Sequence, residues 1–156
     1  MKDLSMHILD IAENSTRAGA IRVSIRIVED TKSNIMSITI SDDGKGMNRE
    51  ELDRALDPFF STKQERKKSV GLGLPMMKKT AEMCGGRFEI ESEKGKGTAI
   101  TAVMQLDHID RPPMGDLNET LAVLIAGNPE VEIEVRYITD GEEEYFSTRG
   151  DGADAA

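Results

Sequence analysis

The chain has 156 residues, 38% of them hydrophobic, and a formal net charge of −9 at pH 7, which suits one domain, or one with a small appendage, and leaves two full domains crowded. The surplus of acid argues against nucleic acid as a partner, because phosphate binding needs a basic footprint. Cys84, the single cysteine, excludes a disulfide framework and points to a buried thiol in a reducing compartment, and no run approaches the ~18 apolar residues of a membrane span, so a soluble, cytoplasmic protein without a membrane partner is expected.

From Asp3 to Ala18, the residues Leu4, Ile8, Ile11 and Ala12 fall on one helical face behind Asp3 as N-cap, which predicts a first helix. His7, Asp10, Asn14 and Arg17 form a polar stripe beside that face, and His7 is expected to be solvated or capping there. Gly19 closes the helix. Ile21, Val23, Ile25 and Ile27 then alternate with polar residues as in a strand, and a second strand is expected over Asn34–Ser41 after a polar connection at 29–33. Asp42–Gly46 reads as a loop, and Asn48 caps a short helix with Glu51 completing a capping box. Ser61–Ser69, polar, basic and aperiodic, reads as a mobile segment. Gly71–Leu74 lead into a helix that has Pro75 in its first turn and Gly85-Gly86 at its end. Strands are expected over Arg87–Ser92 and Thr98–Leu106, joined by a turn at Glu93–Gly97. After Arg111-Pro112-Pro113, a helix is expected over Asp116–Ala126, then a hairpin pairing Val131–Ile138 with Glu143–Ser147 about Asp140-Gly141, and a disordered end at Gly150–Ala156.

Charge divides along the chain. Residues 107–156 hold 13 acidic and 3 basic side chains, against 16 and 17 in residues 1–106. A boundary near His108–Gly115 is therefore expected, with one domain over 1–107 and an acidic appendage over 108–156. The appendage reads either as a docking element for a basic partner or as a part of the fold whose apolar residues Leu117, Leu121, Leu124 and Ile125 cover an open side or edge of the sheet.

Four motifs carry chemistry. Asp10 and Asn14 lie four residues apart, on one helical face. The amide oxygen of Asn14 is a hard ligand suited to Mg²⁺, and the Asp10 carboxylate can orient or deprotonate a water or hydroxyl near it. In Asp42-Asp43-Gly44-Lys45-Gly46-Met47, a carboxylate at a strand end can accept from an adenine amine while Gly44 and Gly46 allow close backbone approach. In Asp57-Pro58-Phe59-Phe60-Ser61-Thr62-Lys63, the aromatics can anchor a loop and Lys63 can meet phosphate. Gly71-Leu72-Gly73-Leu74 opens a helix whose backbone amides suit phosphate, with Gly95-Lys96-Gly97-Thr98 further on.

In order and spacing these pieces resemble the N, G1, F, G2 and G3 boxes of the GHKL superfamily, whose members include sensor histidine kinases, type II topoisomerases, Hsp90-type chaperones and mismatch-repair ATPases. The likeness covers roughly residues 3–106. It implies an α/β fold of the Bergerat type: a two-layer α+β sandwich, with helices on one face of a mixed sheet and ATP between the helices under a lid at Ser61–Val70. By the family's motif, Asn14 would hold Mg²⁺, Asp42 would read adenine, and Gly44, Gly46 and Met47 would belong to the base pocket. Lys63 and the amides of Gly71, Leu72, Gly73 and Leu74 would meet the phosphates, and Thr98 would sit near the adenine. Hydrolytic members place glutamate where this chain has Asp10, one methylene shorter, and a reach error near 1 Å costs about a hundredfold in rate. The chain also begins at the first motif helix, without the phosphoacceptor segment that precedes this domain in histidine kinases. The resemblance thus implies an ATP-dependent kinase subunit, for histidine or serine, acting in trans on a protein substrate or regulatory partner. An ATP-gated binding module or slow ATPase is the alternative, a clamp-type ATPase the third reading, and a homodimer is left open.

Overall fold

The computed structural model describes residues 3–57 and 73–149. Helix α1 (Leu4–Arg17) starts where Asp3 accepts the Met6 backbone N–H at 3.0 Å, and it buries Leu4, Ile8, Ile11 and Ala12. β1 (Arg22–Asp30) and β2 (Ile35–Asp42) form an antiparallel hairpin in which Ile25 faces Ile40 and Ile27 faces Ile38. β1 runs past its expected end to Asp30, whose carboxylate takes the Lys32 N–H at 3.1 Å and tightens the turn, and β2 runs one residue further than expected, to Asp42. Ile21 is not part of the alternation: it is 68% exposed, and its N–H is bonded to Asp43 Oδ1 at 2.9 Å instead of a strand partner.

α2 (Arg49–Ala55) carries the expected capping box, with Glu51 N–H to Asn48 Oδ1 at 2.8 Å and Asn48 N–H to Glu51 Oε1 at 2.9 Å. The Asn48 backbone bond, followed by nearby Lys94, holds the Glu51 carboxyl below the usual carboxylate range. α3 (Gly73–Met83), β3 (Arg87–Glu93), β4 (Gly97–Gln105), α4 (Leu117–Gly127), β5 (Glu132–Thr139) and β6 (Glu142–Ser147) complete the described elements.

The strand order is β3-β4-β2-β1-β5-β6, with β1 and β5 parallel and the other neighbours antiparallel. One face of this mixed sheet buries Val23, Ile25, Ile27, Met36, Ile38, Ile40, Ile100, Met104 and Ile133. The helices cover that face, and α1 lies between α3 and α4. The opposite face carries Ser24, Arg26, Ser37, Thr39 and Thr101, the polar half of the alternation. Enclosure of α1 on both flanks overturns the expectation for His7, which is 2% exposed.

Residues after 108 are tied into the same layers. Leu4 and Ser5 donate their backbone N–H groups to the Pro113 and Met114 carbonyls, both at 2.9 Å, and Thr120 Oγ1 donates to Ser5 Oγ at 3.2 Å. Tyr137 of β5 donates its hydroxyl to Glu29 of β1, and burial, then that carboxylate, pushes the phenol above its ordinary pKa. Cys84 is buried, and burial, then Asp110, raises its thiol as well. No helix among the described residues is long and apolar enough to cross a membrane.

Candidate functional site

A cleft of about 390 Å³ opens between α1, the end of β2 and the start of β4. Its apolar wall is Ile11, Ile40, Met47, Leu74 and Ile100, and its polar groups include Asn14, Ser15, Asp42 and Thr98. Asp42 is the last residue of β2, opposite Thr98 in β4. Its two carboxylate oxygens are held separately: Oδ1 accepts the Gly44 N–H at 2.8 Å, and Oδ2 accepts from Ser15 Oγ at 2.6 Å. Each carboxylate oxygen has two acceptor sites, so the pinned group retains capacity to accept from a ligand in the cleft.

The loop after Asp42 is clamped from three sides. Asp43 Oδ1 also takes the Arg22 N–H at 3.0 Å, Lys45 N–H reaches the Ala18 carbonyl at 2.9 Å, and Lys45 O accepts from Gly95 at 2.7 Å. Met47 N–H donates to Ser92 Oγ at 2.8 Å, and that hydroxyl is 2.7 Å from Thr98 Oγ1. Two glycines are required by this clamp. Gly46 has φ +70°, and a Cβ there would stand 2.0 Å from the Glu93 carbonyl oxygen. Gly97 has φ +125°, and its Cβ would stand 2.0 Å from the Asp42 carbonyl oxygen. The β3–β4 turn therefore holds the backbone of Asp42 by direct contact.

Asn14 lines the cleft, and its Oδ1 accepts from Arg17 Nη1 at 3.2 Å. Asp10 sits one turn earlier, where α3 starts against α1: a Cβ on Gly73 would be 2.9 Å from Asp10 Cβ and 3.2 Å from Ile11 Cγ1. Of the residues singled out in the sequence, Asn14, Asp42, Gly46, Met47, Leu74 and Thr98 line the one cleft. Gly44 supports Asp42, and Asp10 and Gly73 meet at the α1–α3 contact. Lys63, Gly71, Leu72 and the lid expected at Ser61–Val70 lie outside the described residues. Ser15 was missed. It is 5% exposed and continues the apolar stripe Leu4, Ile8, Ile11 at helical spacing, and a hydroxyl on a buried stripe demands a partner. His7, three residues after Leu4, carries the same signal.

Residues 2–108 match the family described as "Histidine kinase-, DNA gyrase B-, and HSP90-like ATPase". The chain is 32% identical over 99 residues to the sensor histidine kinase ZraS of Klebsiella oxytoca, covering 64% of this chain and 20% of that one. It is 41% identical over 69 residues to sporulation kinase C of Bacillus subtilis, covering 44% and 15%. The chain thus spans a fifth or less of the length of these relatives. In fold it is similar to the Aquifex aeolicus MutL ATPase domain complexed with ADP, with a TM-score of 0.56 at 14% identity over 97% of this chain and 65% of that one.

Proposed function

Because the chain belongs to the histidine kinase-, DNA gyrase B- and HSP90-like ATPase family, we propose that its cleft binds ATP with Mg²⁺ and that the protein is a kinase subunit passing phosphate to a side chain of a separate protein. The observation that carries this reading is the pinned Asp42 carboxylate at the edge of a cleft whose apolar wall is Ile11, Ile40, Met47, Leu74 and Ile100. Such a group accepts from the exocyclic amine of adenine and repels the six-position carbonyl of guanine. On this reading Ile40, Met47, Leu74 and Ile100 exclude water around the base, Thr98 stands beside Asp42, and Gly44 and Ser15 orient the carboxylate.

Asn14 would hold Mg²⁺ through Oδ1, once Arg17 Nη1 releases that atom. A single amide oxygen fits this ion, which keeps several waters and takes few protein ligands. Bound there, it would neutralise and align the phosphates. By the family's motif, Lys63 and the amides of Gly71–Leu74 would meet the phosphates. Residues 108–156 are, on this reading, an acidic segment that completes the layers begun by the ATP-binding residues 1–107 and also serves a partner in trans. The kinase relatives support phosphotransfer. The short carboxylate of Asp10, set against Gly73, favours a second reading, an ATP-gated binding module with slow or absent transfer.

Calorimetry should find ATP binding that exceeds GTP binding and depends on Mg²⁺, with Asn14→Ala losing the Mg²⁺ dependence while melting like wild type. Normal Mg·ATP binding by that variant would remove Asn14 from the site. Incubation with γ-labelled ATP in lysate separates the two readings: label on a protein supports the kinase, and label retained on ATP supports the gated module.

A further inference from the structure

An apolar groove of about 370 Å³ lies between α4 and the β5–β6 hairpin, outside the residues matched to the family. Leu117, Leu121, Ala122, Ile125, Val135 and Phe146 line it, and Phe146 is 49% exposed. Beside the groove runs β6, which ends the sheet and pairs only with β5 among the described residues. The two-residue turn Asp140-Gly141, with φ of +49° and +88°, makes Thr139 and Glu142 a hydrogen-bonded pair, and Thr148 N–H to the Ile133 carbonyl at 3.0 Å continues the alternation. Glu143 and Tyr145 therefore turn their backbone N–H and C=O groups outward along the edge.

Charge selects what this edge can take. Glu142, Glu143 and Glu144 are consecutive and exposed, so both faces of β6 are acidic. Arg136 pairs with Glu143, whereas Glu142 and Glu144 have no ion-pair partner among the described residues. A second copy of β6 would bring three more glutamates to the same edge, and like charges on neighbouring strands are destabilising. We propose that the β6 edge receives an extended, lysine- or arginine-rich segment of a partner protein as an added strand. Glu142, Glu144 and Phe146 share the face toward α4, opposite Thr139, Tyr137 and Val135, so on that one face of the added strand apolar residues beside Phe146 fill the groove and basic residues pair with Glu142 and Glu144. This inference does not rest on the nucleotide reading.

A labelled synthetic peptide of sequence lysine, threonine, lysine, threonine, valine, threonine, valine, which puts its lysines and valines on one face, titrated into the full chain and followed by anisotropy, tests it. Binding is expected, weakening about tenfold or more with glutamate in place of lysine and falling as salt rises. Ala122 is exposed on α4, so Ala122→Arg should block the groove while melting like wild type. Two further peptides carry N-methyl groups on one or the other alternate set of amides. Only one set of a paired strand faces its neighbour, so one peptide should lose binding and the other keep it. The proposal is overturned if the lysine peptide does not bind, if both methylated peptides behave alike, or if sedimentation finds the protein dimerising through β6. It is equally overturned if a folded Ala122→Arg variant binds as wild type; should that variant unfold, the methylated pair decides on the unaltered protein.

Discussion

Asp42→Asn is the sharpest perturbation of the cleft, because the geometry dictates how the new amide must sit. Gly44 N–H can only donate, so the amide oxygen has to take the place of Oδ1, 2.8 Å from that nitrogen. The amide nitrogen then falls on the Ser15 side, where Oδ2 stood 2.6 Å from the hydroxyl, and the Ser15 hydroxyl can turn to accept from it. The local structure survives, and the melting temperature should stay close to wild type. A ligand amine that met Oδ2 now meets a donor. One lost hydrogen bond to a charged group, with the ligand donor left unmatched, costs about 1–3 kcal/mol, or roughly 5- to 150-fold in ATP affinity. A purine nucleotide with a carbonyl at position six, such as ITP, should bind the variant better than it binds wild type, since the new donor matches its oxygen. Calorimetric titration of both proteins with ATP and ITP measures both effects. Equal ATP affinity in the two proteins, or loss of both nucleotides together with a large drop in melting temperature, would refute the role assigned to Asp42.

Gly46→Ala should destabilise the protein by several kcal/mol, since left-handed backbone alone costs about 1–2 kcal/mol for an L-residue and the added Cβ would stand 2.0 Å from the Glu93 carbonyl oxygen; a variant that melts with wild type would show that the loop is not clamped as described. Tyr137→Phe removes the hydroxyl bonded to Glu29 and should lower stability by about 1–2 kcal/mol at neutral pH. Because the folded pKa of Tyr137 is raised, the difference between wild type and variant should be full below the unfolded phenol pKa of about 10 and shrink as pH rises toward the folded value. Denaturant titrations at pH 7 and pH 11 check this, and an identical gap at both would refute it. Truncation after Asp107 should give aggregated protein, since it uncovers the β1 edge and the flank of α1 against which α4 lies; a folded, monodisperse product in size-exclusion chromatography would show that residues 1–107 stand alone.

Much of the molecule is legible in short stretches of sequence because the deciding interactions span only a few residues. Asp3 caps α1 across three positions, Asn48 and Glu51 close their box across three, and Asp140-Gly141 supplies the two left-handed residues of its turn. Alternation in β1, β2 and β4 reflects the side-chain period of a strand with one buried face, so these strands follow from local pattern, whereas the mixed sheet with helices on one face is implied by the family resemblance. The start of β1 moved because a side chain from outside the element, Asp43, takes the Ile21 N–H.

Tertiary structure decided what depends on distant partners. The hydrogen bond from Ser15 to Asp42 spans 27 residues, and the Ser15 position reads as apolar until β2 is placed beneath α1. His7 is buried because α3 and α4 flank α1, and no pattern within α1 specifies which neighbours arrive. The clearance at Gly46 and Gly97 belongs to the meeting of the Asp42 loop with the β3–β4 turn. The parallel place of β5 beside β1, with Ser24 opposite Glu134, follows from burial of Leu121, Leu124 and Ile133 against the core, since apolar burial is non-directional and only the assembled layers say which surfaces it joins.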